Sequence, residues 1–285
     1  MTISRMTGLP RSFKALALGE LLAGQSWKGA VLSIHKRALY ILRGDDLAVS
    51  IVADDGSMTA MSVLVPPLFS VPVDESLVGR ASLCTRSRIL LEDFADIDIA
   101  ACATWSGRVA RCEPSSREMD VLDRLTKALR KYGKSGGLLG VLSSAPGAER
   151  EPAHVAAARQ ALQAGSLGAL VGLGPGLTPA GDDFLAGAQL AVAICRPERA
   201  GSLTIDFGQI RAAFAGTTPA GRTLLWMALQ GCFPALFRDF ANSFNHASDA
   251  ELDAAVREAC AYGGSSGTDG LAGFCWMAAR LAHAT

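Results

Sequence analysis

The sequence has no excess of charge of either sign and no long apolar run. Its 285 residues carry 27 basic and 27 acidic side chains, so the formal net charge is zero, and like charges are nowhere concentrated. This excludes the concentrated basic surface that nucleic-acid binding requires. No stretch reaches the roughly 18 consecutive apolar residues of a membrane-spanning helix, and the first residues lack a cleavable apolar signal. We therefore expect a cytoplasmic protein.

The sequence also lacks the spacings of a disulfide framework, a zinc site or a histidine metal site. None of the seven cysteines forms a C-x-x-C pair, and the four histidines form no H-x-x-x-H pattern. We therefore predict free, mostly buried thiols and no metal site built from these residues. His35, Lys36 and Arg37 either occupy a hairpin tip or reach a cleft between domains.

Short apolar runs fill residues 28–112 and are separated by Gly, Asp or Pro. They are rich in β-branched residues and predict strands. The runs are GAVLSIH, ALYILR, LAVSIVAD, MTAMSVLVPP, ASLCTRSRILLE, DIDIAACATW and GRVARCE. Asp55 and Gly56 form a hairpin signal between the third and fourth runs, and residues 13–23 are a candidate short helix.

The apolar period becomes helical after residues 113–116. The segment REMDVLDRLTKALRKYG predicts a helix that ends at Gly133. Its apolar face comprises Met119, Leu122, Leu125 and Leu129. The later segments GKSGG (133–137) and SSAPGAEREP (143–152) have the composition of loops, and no later segment predicts a strand.

These patterns predict an α+β protein with two parts. A β-rich module, either an antiparallel sheet or a barrel-like one, covers residues 1–115. A mostly α-helical domain covers residues 116–285. The boundary is expected near residues 113–117, where the period changes.

The most informative motif is GLGPGLTPAGDDFLAG, at residues 172–187. Gly176 and Gly181 have the spacing of a phosphate-binding P-loop, but Asp182 and Asp183 replace its lysine and hydroxyl residue. Carboxylates at these positions repel a polyphosphate, so the motif does not indicate an NTPase. It predicts a helix that begins between Thr178 and Asp183, after a sharp turn in which Gly174 or Gly176 has a positive φ.

Two later segments repeat parts of this motif. TPAG at residues 178–181 recurs at residues 218–221, and GTDGLAG at residues 267–273 matches five positions of GDDFLAG at residues 181–187. Each repeat has the features of a helix start, with Thr as the predicted N-cap and Pro at the first helical position in the two TPAG copies. We expect the three helix starts to face one another. Well-capped core helices without a ligand are the simpler alternative.

Two adjacent acids that enter an apolar helix require partners. Because Asp182 and Asp183 lie about 100° apart on a helix, at most one of them is expected on the apolar face. A primary amide or carbamoyl NH2 is a suitable donor to these carboxylates. Its anionic end would bind the backbone N–H groups of Gly174, Gly176 and Leu177. A divalent cation held by both acids is the competing arrangement.

Further residues complete the candidate site. Arg222 is the candidate anion clamp, and with Asp182 and Asp183 it forms the predicted catalytic set. The predicted ligand-binding residues at the three helix starts are Gly174, Gly176, Leu177, Thr178, Gly181, Thr218, Thr268 and Asp269. We expect Asp183 to matter more than Asp182, because the repeat near the C-terminus keeps an acid, Asp269, at the position of Asp183.

The motif at residues 172–187 resembles the signature of the AllH-like proteins, the third subunit type of bacterial oxamate carbamoyltransferase in allantoin degradation. The resemblance implies conversion of oxalurate and phosphate to oxamate and carbamoyl phosphate, or a related reaction, in an oligomer with two other subunit types. Such chemistry needs no cofactor, because a positioned amine attacks the carbamoyl carbon while donors stabilise the oxyanion.

Two other functions are compatible with the sequence. One is a non-catalytic subunit that binds a small molecule or supports assembly. The other is a metal-dependent hydrolase that uses Asp182, Asp183 and Asp269, which would hold a divalent ion.

Overall fold

The computed structural model describes residues 10–111, 118–143, 151–195, 206–246 and 248–283. The chain divides into two compact units, residues 1–107 and residues 108–285. Residues 112–117, where the domain boundary is predicted, lie outside the described residues, as does Cys112. The fold class is confirmed, since strands fill the first part of the chain and helices the second.

The first unit contains one ten-stranded sheet that curls into a half-barrel. Its strand order is β1-β9-β8-β7-β3-β4-β5-β6-β2-β10. The strands are β1 (Arg11–Lys14), β2 (Ala17–Gly19), β3 (Trp27–His35), β4 (Ala38–Arg43), β5 (Ala48–Val52), β6 (Ser62–Leu64), β7 (Ala81–Cys84), β8 (Arg88–Leu91), β9 (Ala95–Asp98) and β10 (Ala103–Trp105).

Burial along the strands follows their apolar pattern. In β7 and β8 alternate residues are buried, which places Cys84, Ile89 and Leu91 in the core and leaves Leu83 and Leu90 on the outer face. All of β5 is buried, as its sequence AVSIV predicts. The sheet is mainly antiparallel, but β1 with β9, β10 with β2, and β5 with β6 are parallel pairs.

Three local predictions in this region are wrong. Residues 13–23 do not form a helix, because the end of β1 and all of β2 lie in the segment and pair with β9 and β6, and a turn follows them. Asp55 and Gly56 do not close a hairpin, because they lie in a short 3-10 helix and β5 runs parallel to β6. The described residues of GRVARCE form no strand, only an isolated bridge between Arg108 and Cys232.

Among its described residues, the second unit consists of helices joined by loops and turns, with the one isolated bridge at Arg108. Its helices are α1 (Glu118–Tyr132), α2 (Ala153–Gln163), α3 (Ala180–Ile194), α4 (Gly208–Ala212), α5 (Pro219–Leu229), α6 (Ala235–His246), α7 (Asp249–Ala261) and α8 (Ser266–His283). In α1 the leucines at positions 122, 125 and 129 are buried as predicted, but Met119, in the first turn, is 41% exposed.

Helices α3 and α8 form the centre of this unit. Nearly all of α3 is buried, including Phe184, Leu185 and Leu190, and so is most of α8. Because α3 is apolar around its whole circumference, it must be surrounded by other helices. Among the described residues, no helix is long and apolar enough to cross a membrane.

Candidate functional site

The loop before α3 has the sharp backbone that its glycines predict. Gly172, Gly174 and Gly176 all have positive φ angles, of 75°, 97° and 120°. Side chains other than glycine rarely adopt these angles. No acceptor for the backbone N–H groups of Gly174, Gly176 and Leu177 lies within the described part of the chain. Gly176 and Leu177 are exposed and Gly174 is half-buried.

Helix α3 begins at Ala180, within the predicted interval. The expected N-cap is wrong, however, because Pro179 and not Thr178 occupies the capping position and no side chain caps the helix. The Thr178 hydroxyl donates to Asp183 Oδ2 at 3.2 Å. The acid in the first turn thus takes the hydroxyl that would otherwise have capped the backbone.

Asp182 and Asp183 are both buried, with 0% and 4% of their surface exposed. Both are buried because neighbouring segments cover the first turn, and Asp182 points toward the loop before α3, as expected for one of the two acids. Asp182 Oδ1 accepts from the backbone N–H of Gly172 at 2.9 Å, and Oδ2 accepts from the Thr217 hydroxyl. Both oxygens of Asp182 are therefore satisfied within the protein.

The start of α3 also contacts the start of α8. Asp183 accepts from the hydroxyls of Thr178 and Ser266, and these two hydroxyl oxygens lie 3.4 Å apart. Asp183 is close enough to Asp269 for their negative charges to repel each other. The prediction that helix starts face one another is confirmed for this pair.

Asp269 lies in the first turn of α8 and has no exposed surface. Its Oδ1 accepts from the backbone N–H of Leu138 at 2.5 Å. Its Oδ2 has no hydrogen-bond partner among the described residues. The adjacent Thr268 is also buried, and its hydroxyl accepts from the backbone N–H of Lys134 at 3.0 Å. Segment 133–138 therefore lies over the start of α8.

Burial dominates the electrostatics of all three acids. It raises the pKa of Asp182 and of Asp269 to about 6, from an ordinary value of 3.8, although donated hydrogen bonds partly oppose the shift. Burial also raises the pKa of Asp183 well above 3.8, and repulsion from Asp269 and Asp182 adds to the effect. No lysine or arginine of the described residues forms an ion pair with any of them.

The start of α5 adjoins the same acids. Thr218 is the N-cap of α5, as predicted, since its hydroxyl accepts from the backbone N–H of Gly221 at 2.9 Å. The same hydroxyl donates to the carbonyl of Leu177. A Cβ on Gly221 would overlap Asp182 Oδ2, so the two helix starts are in direct contact. The α3 start therefore contacts both of the other predicted starts.

Arg222 and Gly181 each lie against a backbone carbonyl of the helical unit. The half-buried Arg222 donates from Nε to the carbonyl of Phe214 at 3.1 Å, so part of its guanidinium is bound within the protein. A Cβ on Gly181 would overlap the carbonyl oxygen of Leu170. Gly181 thus allows the loop to pack closely on the first turn of α3.

Two residues near the acids, His154 and Lys134, were not predicted, because no sequence pattern identifies them. His154, near the start of α2, has Nε2 2.9 Å from the carbonyl oxygen of Gly136, and its charge acts on Asp269. Lys134 donates from Nζ to the carbonyls of Ala261 and Gly263 at 2.9 and 2.7 Å. Lys134 thereby secures the end of α7 and is not an ion-pair partner for the acids.

The first unit has a cavity of its own, beside the tip between β3 and β4. Lys36 and Arg37 occupy the tip between β3 and β4, as one of the two predictions had it. An open cavity of about 320 Å³ lies beside this tip and is lined by His35, Lys36, Phe69 and Asp74, among others. None of the predicted site residues lines this cavity.

Metal ligation and family membership are separate questions for the acid cluster. Within the described ranges, no group of three or more His, Cys, Asp or Glu side chains is arranged to hold a metal ion. The buried acids, the glycine loop and the α3–α8 pair all lie between residues 172 and 283. Residues 170–278 match the family model of oxamate carbamoyltransferase subunit AllH.

The AllH match confirms the resemblance of the motif and extends it. It covers less than half of the chain, and it includes all of α3 and α5 and α8 from its start to residue 278. It excludes the ten-stranded sheet and segment 133–138. No curated protein and no solved structure matches the chain.

Proposed function

We propose that this protein is a subunit of a carbamoyltransferase that acts on oxamate and carbamoyl phosphate, or on a related carbamoyl compound. The observation that carries the proposal is the pair Asp183 and Asp269, two buried acids without a cationic ion-pair partner, within the segment that matches AllH. A buried carboxylate requires compensation by donors or protons. A ligand with N–H groups supplies such donors.

The proposed ligand site lies at the starts of α3 and α8. Carbamoyl or amide N–H groups bind on the side of Asp183 and Asp269. The N–H groups of Gly174, Gly176 and Leu177 bind the anionic end, with Thr178, Gly181, Thr218 and Thr268 shaping the site. Asp182 holds Gly172 and Thr217 in place, because both of its oxygens accept from them. Arg222 remains our candidate for the anion clamp.

The proposed reaction is balanced without a redox partner. The amide nitrogen of oxamate attacks the carbonyl carbon of carbamoyl phosphate, so a C–N bond forms and the C–O bond to phosphate breaks. The proton released from nitrogen leaves with inorganic phosphate. Positioned donors stabilise the oxyanion that develops on the carbamoyl oxygen. The other subunit types of the complex are the proposed partners.

Activity of the assembled complex tests this proposal. The complex with the wild-type chain should form oxalurate from oxamate and carbamoyl phosphate. Asp183→Asn should lower turnover or ligand affinity at least about tenfold, or roughly 1.4 kcal/mol, while the chain remains folded. Asp182→Asn should instead lower stability, because it disturbs two internal hydrogen bonds.

The outcomes separate the proposal from its alternatives. A wild-type complex without oxalurate formation would refute the carbamoyltransferase function. Full turnover in a complex that contains Asp183→Asn, together with loss of activity when the chain is omitted, would indicate a non-catalytic assembly subunit. Activity that requires a divalent ion bound by the acids would indicate the metal-dependent hydrolase.

A further inference from the structure

The three buried acids differ in how many of their oxygens the protein satisfies. Asp182 receives a donor on each oxygen, and Asp183 receives two hydroxyls. Asp269 receives the N–H of Leu138 on Oδ1 and also interacts with the Ser265 hydroxyl, whereas Oδ2 itself is buried and has no hydrogen-bond partner within the described ranges. Asp269 Oδ2 is therefore the oxygen of this cluster that lacks a donor.

A buried carboxylate oxygen without a donor is costly, and natural proteins leave few such groups. A proton, a cation or a neutral N–H donor relieves the cost. Asp183 is close enough to repel a further negative charge, so an anionic group is not a suitable neighbour for Oδ2. A neutral N–H donor satisfies Oδ2 without adding charge of either sign to the cluster.

The segment over Asp269 is built from small residues. A Cβ on Gly137 would overlap the Asp269 carboxylate, so the turn at Gly136 and Gly137 lies directly on the acid. Gly136 is exposed and has a φ of 92°. The bond to His154 holds the Gly136 carbonyl. Because a carbonyl only accepts, Nε2 of His154 carries a proton and donates it to this bond.

His154 also connects this turn to the glycine loop before α3. Its Cδ2 lies 3.7 Å from the Cβ position of Gly174, whose N–H has no acceptor in the described part of the chain. His154 therefore contacts both the turn that lies on Asp269 and the glycine loop that contains the Gly174 N–H. A short ligand with an N–H donor at one end and an anionic group at the other can bind Asp269 Oδ2 with its donor and the Gly174 N–H with its anion.

We propose that Asp269 Oδ2 accepts a hydrogen bond from the primary amide of an oxamate-type ligand, which enters when the turn at Gly136 and Gly137 moves aside. This inference rests on the proposed function and makes Asp269 the residue that determines specificity for an N–H group. Sites that bind an N–H group reject analogues without it, because the buried acceptor is then left unpaired.

Oxamate and pyruvate provide a direct test, because pyruvate has a methyl group in place of the amide NH2. Calorimetric titration of the full chain, with its partner subunits present, measures both affinities. We expect the wild type to bind oxamate at least about tenfold more tightly than pyruvate, or roughly 1.4 kcal/mol. This comparison requires no variant, so it does not depend on the folding of a mutant.

The Asp269→Asn variant tests whether the preference for oxamate over pyruvate depends on Asp269. The Leu138 N–H will hold the asparagine oxygen, so the new NH2 group takes the place of Oδ2 and faces the ligand donor. The preference for oxamate should fall below about threefold, while Asp253→Asn, on α7, keeps it. Asp253 is a suitable control because it also accepts one hydrogen bond, from Tyr132.

Two results would overturn the inference. One is a wild type that binds pyruvate as tightly as oxamate; the other is a folded Asp269→Asn variant that keeps the full preference. In both, oxamate still binds and the carbamoyltransferase proposal survives. A wild-type complex that binds neither oxamate nor carbamoyl phosphate would refute the proposed function itself.

Discussion

Gly187 of α3 lies against the backbone carbonyl of Gly270 in α8, so closely that a Cβ at position 187 would overlap the carbonyl oxygen. The contact is reciprocal, because Gly273 of α8 lies in the same way against the carbonyl of Phe184 in α3. In the repeated frame, Gly187 corresponds to Gly273 and Phe184 to Gly270. The crossing is therefore approximately symmetric within one chain.

This symmetry accounts for the meeting of two acids. Asp183 precedes Gly187 by four residues, and Asp269 precedes Gly273 by four residues. Four residues are about one helical turn, so each acid lies on the same face as its glycine, one turn nearer the helix start. Close packing at the crossing brings the two starts together.

The first prediction concerns this crossing. Gly187→Ala should lower the free energy of unfolding by about 1–3 kcal/mol, because the added methyl group forces the two helices apart. Chemical denaturation measures the change. Gly264→Ala is the matched control, since a Cβ there meets no atom within 4 Å. Equal stability of Gly187→Ala and the wild type would contradict the close packing.

The second prediction concerns pH. The pKa of Asp269 is about 6 in the folded protein and 3.8 ordinarily, so the folded state holds its proton more tightly. The stability contributed by this group is therefore greatest below pH 3.8, falls as pH rises to 6 and stays low above it. The shift corresponds to roughly 3 kcal/mol.

Asp269→Asn removes this titration. At pH 8 the variant should be at least as stable as the wild type, and its unfolding free energy should change less between pH 4 and pH 6. Urea denaturation at several pH values measures both effects. A variant with the wild-type pH dependence would show that Asp269 is not the source of the effect.

The third prediction concerns the loop before α3. Gly176 has a φ of 120°, which strains any other residue by about 1–3 kcal/mol. Gly176→Val should therefore lose ligand binding or stability, as measured by thermal unfolding with and without carbamoyl phosphate. Gly44→Ala, where a Cβ meets only one atom at 4.0 Å, is the control. Full stability and full binding in Gly176→Val would make the loop a simple linker.

Several features could be predicted from the sequence because they depend on neighbours along the chain. The change from strands to helices follows from the apolar period. The start of α3 and the positive φ of Gly174 and Gly176 follow from the Gly-Pro-Gly and Thr-Pro patterns. The repeated frame around Asp183 and Asp269 also indicated that two helix starts share their chemistry.

Pairing between distant segments could not be predicted in the same way. The parallel pairing of β5 with β6 overrode the hairpin signal at Asp55 and Gly56, because sheet register depends on strands elsewhere in the chain. The covering of Asp269 by segment 133–138 likewise joins residues more than 130 positions apart. Neither has a local sequence pattern.

Residue type and helical period suffice to predict acids at the starts of apolar helices. Which acid has its oxygens satisfied depends on packing between distant segments. Asp182 and Asp183 are adjacent in the chain, yet their donors come from Gly172, Thr217, Thr178 and Ser266. A hydrogen bond requires a donor within about 3 Å, and only packing brings these groups that close.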